Sequence, residues 1–342
     1  MRLVALDVAR FIAAMMVVMF HFGALQMPVN GSFFFEVAKF GYLGAPIFFI
    51  ISGFVILVSA AGRSAGEFAV ARFVRLYPTF WFCLAVTITL MFLSGLARYT
   101  ASGILANMTM LNNFLHVKDI DGVYWTLHSE MKFYGVIFLL LAVGFLKKYR
   151  VWVGVWAGFT VAKLVVGHVL HVGRALDMGC SPFFMSGVVM YLIMKDGMNR
   201  FNGIMLAVSV LLTGIKGFEQ ASDYMIGVST LDRVLSVAIV LAFQLFLYLL
   251  ARGKFRPPEM QGLVILGGMT YPLYLLHNRA GNAVRFVLQR YLPAGAAVAA
   301  AIAVVLGVSF VIHVLFERNV VRLMKAFLLK KYGDVAGRLR RG

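Results

Sequence analysis

Charge is what this sequence has least of. Asp, Glu, Lys and Arg make up 13% of its 342 residues, where soluble domains carry about 25%. The apolar share is 61% and the mean hydropathy +0.87, so the chain cannot cover itself with a water-compatible surface. That excludes the two soluble domains its length alone would suggest. Cysteine is nearly absent. Cys83 and Cys180 are too few for a disulfide framework or a thiolate metal site. Acid is scarce too, with 14 Asp and Glu against 32 Lys and Arg and a formal charge of +18. Such an excess would suit nucleic acid only on a soluble basic face, and no such face is present. Cytoplasmic loops and anionic headgroups account for it better, so the expected partner is the lipid bilayer and not nucleic acid. Asp7 and Arg10 interrupt the N-terminal stretch, whose apolar run continues to about Leu25, so no cleavable signal peptide is expected. No repeat, low-complexity linker or appended soluble module is evident.

What the chain does have is long apolar runs. A bilayer core needs about 20 residues per helix, and punctuation by charge, Pro and Gly predicts about ten spans. They fall near 4–25, 40–60, 79–96, 124–146, 151–171, 179–195, 202–218, 231–251, 263–281 and 294–316. Runs such as Phe138 to Phe145 do not alternate, which argues against a barrel. The expected fold class is all-α, a polytopic membrane protein with one bundle. Residues 1–316 form the transmembrane domain in this reading, and 317–342 a basic, interfacial cytoplasmic tail.

Lys and Arg set the orientation. With the N-terminus cytoplasmic, the inner ends collect Arg63, Arg72, Arg75, Lys147, Lys148, Arg150, Arg252, Lys254 and a tail running from Arg318 to Arg341. The outer ends carry far fewer, among them Lys39, Arg98 and Lys118. Both termini are therefore expected in the cytoplasm, with the longest connection, about 97–122, outside. Cys83 and Cys180 then lie near opposite faces and should not pair.

Ionisable groups at membrane depth are costly, so each is a functional hypothesis. Asp7, Arg10 and His21 occur in LDVARFIAAMMVVMFHF. At about 100° per residue they share one helix face within about 40°, with His21 about 16 Å along from Arg10. An interfacial Asp7–Arg10 pair with His21 as a hydrogen-bonded core residue is the plainer reading of the same spacing. Glu130 and Lys132 fall inside the fourth span, in DGVYWTLHSEMKFY, and His277 near the outer end of the ninth, in GGMTYPLYLLHN. Residue counting puts His21, Glu130 and His277 at similar depth in the outer third. A His beside a carboxylate is suited to general-base chemistry. Lys132 points about 200° away from Glu130 and is read as charge balance. At the other face Arg72 and Arg75, in ARFVRLYPTFW just before the third span, are one turn apart and able to clamp a phosphate. Ordinary positive-inside residues are the alternative. Ser52 lacks a nucleophile-elbow motif and is read as helix packing. No role is assigned to His116, His128, His168 or His171.

Taken in order, these motifs resemble the acyltransferase-3 family of bacterial membrane acyltransferases. LDVARFIAAMMVVMFH is similar to its opening helix, through Asp7, Arg10 and His21. GYLGAPIFFIISGFVI resembles its second helix, and RFVRLYP carries its Arg-x-x-Arg at Arg72 and Arg75. Trp125, Leu127 and Glu130 match its Trp-x-Leu-x-x-Glu segment. TYPLYLLH, with Tyr271, Tyr274 and His277, and FERNVVRLM, with Glu317, resemble its C-terminal part. His128 and Thr270 depart from the common pattern without removing a catalytic group.

The resemblance implies transfer of an acyl group, usually acetyl, from cytoplasmic acyl-coenzyme A, a co-substrate, to a hydroxyl; because a thioester is already activated, neither a metal nor a permanently bound cofactor is expected. The acceptor would be a saccharide or a small molecule, and the location the bacterial inner membrane. Some relatives carry an extracytoplasmic SGNH-type domain, for which this chain has no room. Combined with the depth reading, it casts His21 and Glu130 as catalytic and Arg10, Arg72 and Arg75 as donor-binding. Asp7, Tyr124, Trp125, Tyr271 and His277 would support the site or line the acceptor mouth. Donor and acceptor would meet in a tunnel, cationic at its inner mouth and aromatic at its outer one. The competing class is a transporter or flippase of lipid-linked saccharide, with the buried charges as a proton relay. The paired, broken helices common in transporters are not evident.

Overall fold

Every stretch expected to span contains a helix among its described residues, and those residues contain no strand. The computed structural model describes residues 4–25, 33–166, 179–225, 227–254 and 260–339. His168, His171 and Arg174 lie outside them. In chain order the helices are α1 (Val4–Met19), α2 (Phe33–Ala38), α3 (Gly44–Ala60), α4 (Ala65–Leu93), α5 (Ala101–Met108), α6 (Trp125–Ala142) and α7 (Tyr149–Val166). Then come α8 (Ser181–Asp196), α9 (Arg200–Tyr224), α10 (Thr230–Ala251), α11 (Gln261–Leu276), α12 (Arg279–Leu288), α13 (Ala294–Val311) and α14 (Arg318–Leu339). Six described helical segments are long and apolar enough to cross a membrane: 4–24, 33–60, 65–93, 200–224, 230–251 and 294–328.

Three helix ends depart from the sequence reading. The third span does not begin at 79, because Ser64 and Glu67 form a reciprocal capping box that starts α4 at Ala65. Arg72 and Arg75 therefore lie inside the helix, Arg75 about 15 Å from its first residue. The ninth span stops at Leu276, and residues 279–288 form a separate helix. The last span does not end at 316 but runs through a π-helical turn, Ile312–Glu317, into α14.

The chain divides into two compact units. The first comprises residues 1–62 and 132–259, the second 63–131 and 260–342. Within the first, α8 is buried on nearly every side, as expected of a helix apolar all round. Gly53 of α3 and Gly187 of α8 make that possible. A Cβ on Gly53 would strike the Phe184 carbonyl, and one on Gly187 the Ile50 carbonyl, so the backbones touch as in small-residue membrane packing. The Ser52–Gly53 pair is thus a packing feature. Ala9 and Ala13 of α1 similarly admit Ile47 and Ile51 of α3, backed by Phe243 and Phe246.

Within the second unit α4 is the axis, meeting α11, α12 and α14. The 97–122 segment, expected outside, folds back along α4. Tyr77 and Trp81 of α4 donate to the carbonyls of Thr109 and Met108, each at 2.8 Å. Such a path requires the irregular backbone to be satisfied by protein. Asn107 bonds the carbonyls of Gly103 and Lys118 and the Ile120 amide, and Asn112 bonds the Val117 carbonyl and Asp119. His128, given no role from sequence, is 3% exposed and anchors this segment through the Met110 carbonyl (3.0 Å) and Asp119 (2.8 Å).

Candidate active site

His21 sits where α1 loosens. After Met19 the helix widens into a π-turn, Phe20–Ala24, closed by an i→i−5 bond from the Leu25 amide to the Phe20 carbonyl at 3.1 Å. Single π-turns are rare and gather at functional sites. His21 Nδ1 lies 2.9 Å from the Val17 carbonyl. A carbonyl only accepts, so Nδ1 carries the proton and the neutral ring has its lone pair on Nε2. That is the tautomer a general base needs. Below it on the same helix, Asp7 and Arg10 pair at 3.4 Å.

Beside His21 stands an aromatic cluster that no local sequence pattern announces. Phe20 meets His21 edge-on at 5.5 Å, and Phe20 also touches Tyr42 and Tyr224, which stack at 5.0 Å. Tyr42 donates to Ser236 at 2.9 Å, and Lys39 bridges Glu36 and Asp232. These residues come from α1, the α2–α3 region, α9 and α10, so only packing assembles them. Stacked rings edged by charged groups offer an apolar body with a polar margin.

The second unit holds its own buried polar cluster. Glu317 is 2% exposed; its carboxylate takes Arg75 Nη1 on Oε1 and His313 Nδ1 on Oε2, the latter at 2.8 Å. His313 and Glu317 bracket the second π-turn, in which the Arg318 amide bonds the His313 carbonyl. Gly268 of α11 faces the imidazole so closely that a Cβ there would overlap it. Tyr271 donates to the Leu76 carbonyl at 3.2 Å, with the Arg75 guanidinium 6.0 Å from its ring. Arg75 is therefore an ion-paired residue, whereas Arg72 lies over Phe68, 5.9 Å from its ring. His313 was not singled out from sequence. Its one signal was the His-x-x-x-Glu spacing, which puts both side chains on one helix face.

The remaining predicted residues gather around α11 and the start of α6. Tyr274 bonds Thr126 (2.7 Å) and the Val123 carbonyl (3.1 Å). His277 is fully buried, its Nδ1 donating to the Tyr274 carbonyl at 2.7 Å, the same wiring as His21. Asp121 accepts from Asn278 and from the Arg279 amide at the start of α12. Tyr124, expected to line a mouth, is instead a core ring, 1% exposed and packed on Phe80 at 5.1 Å. Trp125 and Glu130 are half-buried in the first two turns of α6. Phe80 is only five residues past Arg75, about 7.5 Å along α4. Arg75 and the Phe80 ring on which Tyr124 packs thus lie within two turns along α4, although Arg75 and Tyr124 were expected near opposite faces. His21 belongs to the first unit and Glu130 to the second.

Comparison with known proteins agrees with these motifs. Residues 3–314 match the acyltransferase-3 family, described as an acyltransferase domain. Nodulation protein 10 of Rhizobium leguminosarum bv. viciae is 30% identical over 161 residues, which cover 40% of this chain and 44% of that protein. No solved structure matches the chain. With apolar helices long enough to span a membrane and a match over nearly its whole length, the chain belongs to the acyltransferase-3 family of multi-pass membrane acyltransferases.

Proposed function

We propose that the protein is an O-acyltransferase of a bacterial plasma membrane, moving an acyl group, acetyl in the simplest case, from cytoplasmic acyl-coenzyme A to a hydroxyl of a saccharide or similar small acceptor. In this reading the chain crosses the bilayer about ten times with both termini in the cytoplasm. The observation that carries it is His21, held by the Val17 carbonyl as the Nδ1–H tautomer on a π-turn beside Phe20, Tyr42 and Tyr224.

His21 Nε2 takes the proton of the acceptor hydroxyl as its oxygen attacks the thioester carbonyl. The tetrahedral intermediate collapses, the carbon–sulfur bond breaks, and the imidazolium returns the proton to the coenzyme A thiolate. Tyr42 and Tyr224, beside His21, give a sugar face a surface to lie on, and Glu130 keeps its assignment as the second proton-handling group. Arg10, Arg72 and Arg75 contact the donor phosphates, while Asp7 orients Arg10. Trp125, Tyr271 and His277 shape the acceptor side. A thioester is already activated, so the chemistry asks for proton transfer and positioning.

The test is release of free thiol from acetyl-coenzyme A by full-length protein in nanodiscs, with a panel of glycosides as acceptors. Wild type should turn over, and His21→Ala should lose about 10²–10⁴ in rate while keeping its unfolding midpoint. Near-wild-type turnover by that variant would refute the assignment.

A further inference from the structure

The sequence places eight basic residues from Arg318 to Arg341, and the positive-inside rule alone explains their presence but not their arrangement. Arg318, Arg322 and Lys325 occur at i, i+4 and i+7, which brings them within about 60° of one another on α14, along a stripe about 10 Å long. All three line one cavity of about 490 Å³ together with Arg75, His313 and Glu317. Leu323 and Phe327, each about two-thirds exposed, fall about 100–180° from these three on the same helix. The basic face thus turns to the cavity and the apolar face away from it.

Charge balance decides what that cavity accepts. Glu317 is the one carboxylate among the described residues lining it, and it is already bonded to both Arg75 and His313. Glu317 offsets part of the positive charge that Arg75 brings there, so Arg318, Arg322 and Lys325 supply the surplus around one space. Asn319 holds Arg322 at 3.2 Å, which orders one fork of the stripe. Guanidinium forks match phosphate oxygens two at a time. The volume lies within the range of small-ligand sites, about 300–1,000 Å³.

We propose that this cavity between α4 and α14 binds phosphate esters, and that its ligand is the phosphorylated nucleotide end of the acyl donor. The tail helix is then part of the binding machinery as well as a membrane-surface element. The nucleotide assignment rests on the acyltransferase reading above; the phosphate site does not, because an anionic lipid headgroup presents the same chemistry.

Full-length protein in phosphatidylcholine nanodiscs is titrated with acetyl-coenzyme A, adenosine 3′,5′-bisphosphate and phosphate-free S-acetylpantetheine. R318Q/R322Q/K325Q should bind the two phosphorylated probes about tenfold or more weakly, lose salt dependence, and bind S-acetylpantetheine as wild type does. If that variant does not fold, R318K/R322K keeps the charge and should still weaken both phosphorylated probes by losing the planar forks. Unchanged affinity for acetyl-coenzyme A and the bisphosphate overturns the assignment of the tail while leaving the donor reading intact. If wild type binds none of the three, the donor reading fails, and phosphatidylglycerol nanodiscs decide the site. Retention of phosphatidylglycerol by wild type but not the triple Gln variant, seen by native mass spectrometry, supports a lipid phosphate. Equal retention overturns the site.

Discussion

Removing the Glu317 charge is the most direct probe of the second unit. The carboxylate joins α14 to α4 through Arg75 and holds His313 at 2.8 Å, with its side chain only 3% exposed. Glu317→Gln keeps the shape but leaves a guanidinium without its counter-charge and sets an amide against a donor. Taking one partner from a fully buried pair costs about 3–5 kcal/mol. The Arg75 side chain keeps 38% exposure, so water screens part of the loss, and we expect about 2–3 kcal/mol. The assay is a double-variant cycle with Arg75→Gln, each protein unfolded by SDS in mixed micelles. If the two residues act as a pair, the double variant is less destabilised than the sum of the singles, with a coupling of about 2 kcal/mol. Additivity within about 0.5 kcal/mol would show that the contact carries no energy and would refute the picture of Glu317 as the counter-ion of Arg75.

Gly268→Ala puts a methyl into the His313 imidazole; we expect about 1–3 kcal/mol of overpacking strain and a shifted His313 ring resonance, and unchanged stability and spectrum would contradict the contact. Gly187→Ala drives a methyl onto the Ile50 carbonyl and Phe54 amide, backbone atoms that cannot rotate away, so the loss should reach about 3 kcal/mol or more, read as a lower yield of monodisperse protein. His128→Ala removes both anchors of the 97–122 segment; limited proteolysis should then cut between Ala97 and Ile120 at least several-fold faster than in wild type. An unaltered cleavage pattern would mean Asn107 and Asn112 hold the segment by themselves.

The membrane class, the all-helical fold and the family were legible in the sequence for a simple reason. Runs of about 20 apolar residues and an excess of Lys and Arg are local properties, and a bilayer forces such runs into helices whatever their neighbours are. The order of the motifs from Asp7 to Glu317 is equally one-dimensional. His21 stood out too, as a His on an apolar helix, and the contact fixing its tautomer is local, from Nδ1 to the Val17 carbonyl four residues back.

What spacing could not supply was partners. Arg75 and Glu317 are separated by 242 residues, Tyr42 and Ser236 by 194 and Asn278 and Asp121 by 157, and no periodicity encodes those pairings. Helix ends read by residue counting also moved where capping and chain reversal intervened. The Ser64–Glu67 box moved the start of α4 and drew Arg72 and Arg75 into the helix, and the 97–122 segment turned back onto Tyr77 and Trp81. Both π-turns were invisible, because a one-residue widening leaves the apolar pattern nearly unchanged. The sequence by itself determined that this chain lives in a membrane as helices and which family it belongs to. The tertiary structure alone decided which distant groups meet, Arg75 with Glu317 above all, because a charge in a low-dielectric interior is kept only where a counter-charge reaches it and here packing delivers one from a distant part of the chain.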